Sequence, residues 1–235
     1  MNSKRRVRLM SNVATLLARA KQIHGSEGWK SLVRRGFAFV LHQLYEYRTY
    51  YLTEYKMENS RRLNEADLMP RIRDLSFKAV NGNREADELE AEGYEFRSYA
   101  TNFDARRALD MGAIAFCIFA GRQLAAMGWA ALTQQAFDSL NERPIKIDFS
   151  NRDAFIGAIW TSPKYRRMGL RTYRTFKLRQ YLLDRGVAMT RGPIAKDNIP
   201  ALMGLAKIDI TIYGEGRYLR ILWWKSWEEK RLLQG

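Results

Sequence analysis

The sequence predicts a mixed α/β fold, a mainly antiparallel sheet flanked by helices, with a basic helical segment ahead of it. Three observations predict it. Of 235 residues 46% are hydrophobic and 12% aromatic, which suits one packed domain with an appended segment. Residues 112–132 hold two apolar runs, GAIAFCIFA and LAAMGWAAL, around Gly121-Arg122-Gln123, the pattern of a hairpin in a sheet buried on both faces. Residues 153–185 read as a strand, a short basic loop with one glycine, and a long helix.

The elements follow in order. Residues 1–47 form a basic helical extension, with nine Lys and Arg against Glu27 and Glu46. Within it Trp29, Leu32, Val33, Phe37, Val40, Leu41, Leu44 and Tyr45 repeat on one helical face, and Ser26 is placed as N-cap. This stripe either docks on the main domain, 48–235, or lies on an anionic membrane surface. The aromatic run RTYYLTEYKM at 48–57 predicts a strand. Residues 64–92 read as helical, broken at Asn81-Gly82-Asn83, with the acidic run 85–92 as a solvated face. Strands are expected at 144–149 (PIKIDF), 153–160 and 187–195, and helices at 168–185 and 198–208. The first of these helices should pack through Leu170, Tyr173, Leu178, Tyr181 and Leu182. RYLRILWW at 217–224 reads as the final strand, followed by a Trp223, Trp224, Trp227 cluster suited to core or helix docking.

Charge and composition narrow the function classes. Lys and Arg number 40 against 25 Asp and Glu, a net +15, which favours anionic partners. A single cysteine excludes a disulfide framework, and with two histidines the usual His/Cys zinc site is excluded as well. No apolar run reaches the roughly 20 residues of a membrane span. The basic N-terminus lacks a clean apolar stretch and cleavage site, so the expected location is the cytoplasm, with room for a peripheral place on the inner face of the membrane. No helix-turn-helix, ribonucleoprotein or zinc-finger pattern is present, which disfavours nucleic acid.

The stretch that carries chemistry is DAFIGAIWTSPKYRRMGLRTYRTFKLRQYLLDR. Gly169 stands at the entry of a helix, where backbone N–H groups are free and the helix dipole favours an anion. Lys164, Arg166, Arg167, Arg171 and Arg174 crowd the same turn, and together they ask for a phosphate or pyrophosphate. Neither a GxxxxGK[ST] loop nor a dinucleotide-binding GxGxxG is present.

The series Ser162-Pro163-Lys164-Tyr165-Arg166-Arg167-Met168-Gly169-Leu170-Arg171 resembles the acyl-CoA-binding loop of the GCN5-related N-acetyltransferase (GNAT) superfamily. Asp197-Asn198-Ile199-Pro200-Ala201-Leu202 resembles that superfamily's second signature, through Asn198 and Ala201. The likeness is firm over 150–225, plausible from 48 in strand order, and silent on 1–47. It implies a GNAT-like twisted sheet whose middle strands splay to admit a pantetheine arm. It also implies acetyl-CoA as donor, no metal, and direct attack of a primary amine on the thioester. Backbone groups of Ile159, Trp160 and Thr161 would meet the pantetheine. Those of Arg166, Arg167, Met168, Gly169, Leu170 and Arg171 would meet the pyrophosphate. Three departures stand out. Arg171 replaces a small residue, and its side chain leaves the loop open if it points outward; Leu205 stands where many members carry a Tyr that acts as general acid; Asp209 replaces a common Gly. An inactive relative that binds nucleic acid or anionic lipid is the alternative.

Candidates for proton transfer are Asp153 and Asp148 as base and Tyr213 as acid. Each also reads as an ordinary strand or strand-end residue. His24 and His42 suit a surface or interface, and Cys117 within AFCIF suits a buried small hydrophobe. The basic and aromatic dressing resembles that of acetyltransferases of bacterial surface-polysaccharide synthesis, which points to an amino-sugar acceptor. An amino acid, a polyamine or a protein N-terminus stays open, and the positive net charge argues mildly against the polyamine.

Overall fold

β1 (Tyr45–Lys56) enters the domain and turns through a 3-10 segment, Met57–Arg62. Short helix α1 (Glu65–Leu68), β2 (Leu75–Val80), α2 (Asn83–Ala91) and α3 (Ala105–Asp110) follow. Then come β3 (Ile114–Ala120), β4 (Gln123–Ala131), α4 (Gln134–Ser139) and β5 (Asp153–Thr161). The chain continues through α5 (Leu170–Asp184), β6 (Met189–Ala195), α6 (Ile199–Leu202), β7 (Thr211–Ile221) and β8 (Trp224–Arg231). This computed structural model describes residues 44–62, 64–97, 103–140, 143–203 and 210–232. The 29–45 stripe up to residue 43, His24, His42, Leu205 and Asp209 lie outside the described residues.

The eight strands form one sheet in the order β2-β3-β4-β5-β6-β1-β7-β8. Neighbours β2–β3, β3–β4, β4–β5 and β6–β1 pair antiparallel, and β5–β6 pairs parallel. The fold is therefore mixed α/β with a mostly antiparallel sheet. Contacts divide the chain into two units, 1–47 with 218–226, and 48–217 with 227–235.

In the larger unit both sheet faces are covered. On one face Leu178 and Leu182 of α5 meet Phe116, Ala130 and Ala154, while Leu170 and Tyr173 meet Ile118, Ala125 and Ala126. Burying Leu170, Leu178 and Leu182 contributes about 1.5–3 kcal/mol each. Tyr181 sets its ring edge-on to Phe116, with centroids 5.1 Å apart, and its hydroxyl donates to Asn81 Oδ1. On the other face Leu89, Leu109, Phe137 and Leu140 from α2, α3 and the α4 end cover Phe119, Trp129 and Phe155. Cys117 is fully buried there, and burial pushes its thiol up.

Four expectations are corrected. Residues 75–80 form a strand instead of helix, because the buried edge of β3 needs a ladder partner and takes LSFKAV in register from Leu75–Ala120 to Val80–Ala115. Residues 144–149 form no strand. The Lys146 N–H donates to Glu229 Oε1 at 2.8 Å, a side-chain acceptor in place of a ladder, while Ile145 is buried in the core. The RYLRILWW run spans a hairpin, with Leu222 and Trp223 as its turn. The described part of the 198–208 helix is a single turn, Ile199–Leu202, capped by Asn198 Oδ1, which accepts from Ala201 N at 3.2 Å.

Candidate functional site

β5 and β6 begin as partners and then part. Their pairing covers Asp153–Phe155 against Met189–Arg191 only. Beyond it β5 continues along β4 as far as Thr161, while β6 stays with β1 as far as Ala195. A bulge sharpens the parting. Between Met127–Trp160 and Trp129–Gly157 β5 carries one extra residue, and Ala158 there takes φ +47°. Gly192 lies at the fork, where a Cβ would come within 2.5 Å of the Ile156 carbonyl oxygen; only glycine lets the strands approach so closely before they diverge.

The fork opens a cleft of about 480 Å³. Its walls are residues 156–161 of β5 and 192–195 of β6, with Arg166, Arg171, Thr175 and Arg179 on the α5 side. Asn198, Pro200, Ala201, Glu54 and Arg191 are among the other lining residues. Seven of the sequence-predicted donor-binding residues therefore share one cavity: Ile159, Trp160, Thr161, Arg166, Arg171, Asn198 and Ala201.

Arg167, Met168, Gly169 and Leu170 build the adjoining turn. Arg167 has φ +64° and Gly169 φ +82°, two left-handed residues just before the helix. The first bond into α5 runs from Tyr173 N to Gly169 O at 3.2 Å. Among the described residues the N–H groups of Leu170, Arg171 and Thr172 find no acceptor. A run of free N–H groups at a helix start favours an anion. Glycine is needed at 169 for its backbone angle and not for space, since an added Cβ would meet only Pro70 Cγ at 4.0 Å. Leu170 as a whole is 1% exposed, its side chain packed into the core.

The Arg171 side chain reaches across to the Asn198 segment. Its guanidinium donates to the Pro200 oxygen at 2.9 Å and the Ala201 oxygen at 3.0 Å. Carbonyls in the last turn of a helix are open to side-chain donors. Arg171 thus ties the two predicted donor-binding segments together, and desolvation lowers its pKa. Arg174 is 1% exposed and donates to the Met127 oxygen at 3.0 Å, beside the bulge, and burial pushes its pKa down to about 9.

The proton-transfer candidates gather around Arg191 of β6. Its Nε is 3.5 Å from Asp153 Oδ2 and its Nη2 3.7 Å from Glu54 Oε2. Its guanidinium stands 5.3 Å from the Tyr213 ring centroid. Asp153 is 3% exposed; burial pushes its carboxyl up, and Arg191 opposes the shift. The Tyr213 hydroxyl is buried without a hydrogen-bond partner among the described residues, and burial pushes the phenol up to about 12. Asp148 is exposed and caps the turn at Phe149–Asn151, and hydrogen bonds from Ser150 and Asn151 hold its carboxyl below the ordinary range. It lines a neighbouring cavity of about 500 Å³ that Arg191 also lines.

The carboxylate that lines the cleft itself is Glu54, which sequence reading passed over. It lies inside an aromatic strand with no local motif around it. Only the cross-strand register, Glu54 opposite Arg191, brings it to the fork. Among the described residues no group of three His, Cys, Asp or Glu side chains is placed to hold a metal ion. No helix among them is long and apolar enough to cross a membrane.

No family model matches the chain, and no curated protein matches it. Solved structures do. One is a GCN5-related N-acetyltransferase from Kribbella flavida, 14% identical, covering 79% of this chain and 63% of its own, with a TM-score of 0.43. A GCN5-related N-acetyltransferase-like protein from Streptococcus suis is 15% identical over 87% of this chain and 69% of its own, with a TM-score of 0.45. A tandem GNAT protein from the clavulanic acid biosynthesis pathway is 16% identical over 83% of this chain and 58% of its own, with a TM-score of 0.48. The chain spans only 57–66% of the length of three further solved chains. The solved structures to which this chain is similar thus include GNAT-family acetyltransferases, the superfamily that its 162–171 turn resembles.

Proposed function

We propose that the protein is an acyl-CoA-dependent N-acyltransferase that moves acetyl from acetyl-CoA to a primary amine. The observation that carries this reading is the parting of β5 from β6 beside a helix start with unpaired N–H groups. An amide-rich arm pairs with the freed edge of a strand, while its diphosphate sits on the N–H cradle. When bound, the thioester supplies an activated carbonyl carbon, which the amine nitrogen attacks as the C–S bond breaks. The residues of the chain position and move protons around that event. Glu54, at the cleft wall, takes the proton that the ammonium must lose. Arg191 holds Glu54 in place, and Asp153 beneath it positions Arg191. Tyr213 keeps its proton at neutral pH, but its hydroxyl is buried and does not line the cleft, so the departing thiolate takes its proton from solvent in the cleft. Asp148, in the neighbouring cavity, serves the acceptor side.

The acceptor we propose is an amino sugar. The neighbouring cavity supports it, with Gln134, Asp138, Lys146 and Asp148 offering polar contacts to a hydroxyl-rich ring. Calorimetry with CoA should give binding in the micromolar range, as is usual for substrates. Thiol release should then appear with amino sugars in a panel of amines. Glu54→Gln should lower kcat while leaving the KM for the acyl donor unchanged. Absence of CoA binding overturns the enzyme reading. A second reading, a non-catalytic anion-binding module, draws on the net charge of +15. Salt-dependent binding of DNA without any binding of CoA would establish it.

A further inference from the structure

In the smaller unit, 1–47 with 218–226, an apolar hairpin tip is left exposed by the described residues. β7 ends at Ile221 and β8 begins at Trp224, leaving Leu222 and Trp223 as a two-residue turn. Such turns favour Asn and Gly because they need positive φ. Here Leu222 holds φ +54°, a strained choice for a branched apolar residue. Trp223 is 86% exposed and Trp224 53%, with Ile221 and Leu222 exposed beside them. The Leu222 N–H donates to the Leu44 oxygen, which adds the exposed Leu44 to the same patch, and Tyr45 and Tyr47 follow. Among the described residues nothing packs over this strained turn and its tryptophan, so it stands available to a partner.

We infer that this hairpin tip docks on an anionic lipid surface. Two observations select that partner. The first is charge: the sequence of the smaller unit carries eleven Lys and Arg against Glu27 and Glu46, a net +9 of the chain's +15. Basic segments are drawn to anionic headgroups by this electrostatics. The second is side-chain type. Trp and Tyr settle at the headgroup boundary, where an apolar ring and a polar N–H or O–H are both satisfied, and aliphatic Ile221, Leu222 and Leu44 reach the acyl region below. Stacking on nucleic acid bases would use the tryptophans but leave these aliphatic residues without a role. Lys225, exposed next to Trp224, faces the headgroups from the same turn. The inference is independent of the acyltransferase reading, because none of these residues lines the cleft.

The test is flotation of the full chain with vesicles of phosphatidylcholine mixed with phosphatidylglycerol, beside vesicles of phosphatidylcholine alone. The chain should float with the mixed vesicles, more weakly at high salt, and tryptophan emission should shift to the blue. Trp223→Ser with Trp224→Ser should cut partitioning at least about tenfold, since each indole brings about 150–250 Å² of surface. Trp223→Phe should retain most of it. Both variants should keep the wild-type melting curve, because the replaced side chains are exposed. The inference is overturned by no flotation of the wild type, by equal flotation on both vesicle types, by undiminished flotation of the double variant, or by protection of Trp223 from a soluble quencher in buffer alone, which would mean that the chain's own segment covers the tip. Binding of single-stranded oligonucleotide that the double variant loses, without vesicle binding, overturns it in favour of nucleic acid.

Discussion

The Gly169 turn and the Arg191 cluster both border the cleft, and they are built by opposite means. The turn is exposed, local in sequence and made of backbone: two left-handed residues and three unpaired N–H groups. The cluster is buried, assembled from β1, β5, β6 and β7, and made of side chains that lean on one guanidinium. A backbone site tolerates almost any side chain that points away and fails when its angles change. A side-chain site fails when a single charge is left without its counterpart. The first kind suits an anion held by backbone; the second suits side chains whose charge depends on their neighbours, and the proposed function draws on both.

Substitutions test this contrast, the largest first. Arg191→Met leaves Asp153 and Glu54 without their shared cation. It should lower stability by about 2–3 kcal/mol in urea unfolding, below the usual loss for a fully buried pair because these contacts are long and partly exposed. An unchanged unfolding midpoint would show that the cluster is not electrostatically coupled. Gly169→Ala places a Cβ in open space but at φ +82°, so the expected cost is about 1–2 kcal/mol of backbone strain. CoA affinity should fall more than the stability change alone accounts for, because the N–H cradle is re-aimed. If affinity held while stability dropped, the turn would be structural only.

A subtler break uses pH. The Asp153 carboxyl is held above its ordinary value, so the folded chain binds this proton more tightly than the unfolded chain does. Its contribution is present below the ordinary Asp range and is lost as pH rises through the raised value. Asp153→Asn should therefore be more stable than the wild type at neutral pH, and that gap should close toward about pH 4. A gap independent of pH would mean that burial of this carboxyl is not felt. The smallest effect belongs to Glu65, outside both regions. Hydrogen bonds from Tyr173 at 2.8 Å and Lys177 at 3.2 Å hold its carboxyl below the ordinary range, and its side chain is 45% exposed. Glu65→Gln should cost at most about 1 kcal/mol, lost as pH falls.

Legibility in the sequence followed locality. The hairpin at 112–132 and the helix after Gly169 were readable because their patterns close within one segment. The strand at 75–80 was not, since its helical look was overruled by the need of β3 for a ladder partner. The turn at Leu222 and Trp223 gave no sign either, because it contains none of the residues that mark turns. The contacts of Arg171 were not legible for a similar reason: its acceptors, Pro200 and Ala201, lie on another element.

By itself the sequence determined the glycine-entered helix with its basic surroundings, since both follow from neighbours along the chain. Only the tertiary structure decided that β6 would leave β5 after three paired residues and that Glu54 would face the resulting cleft. Arg191 likewise joins Asp153, Glu54 and Tyr213 only once the sheet has formed. Those outcomes depend on strand register across the sheet, and a one-residue slip in pairing sends every side chain to the opposite face.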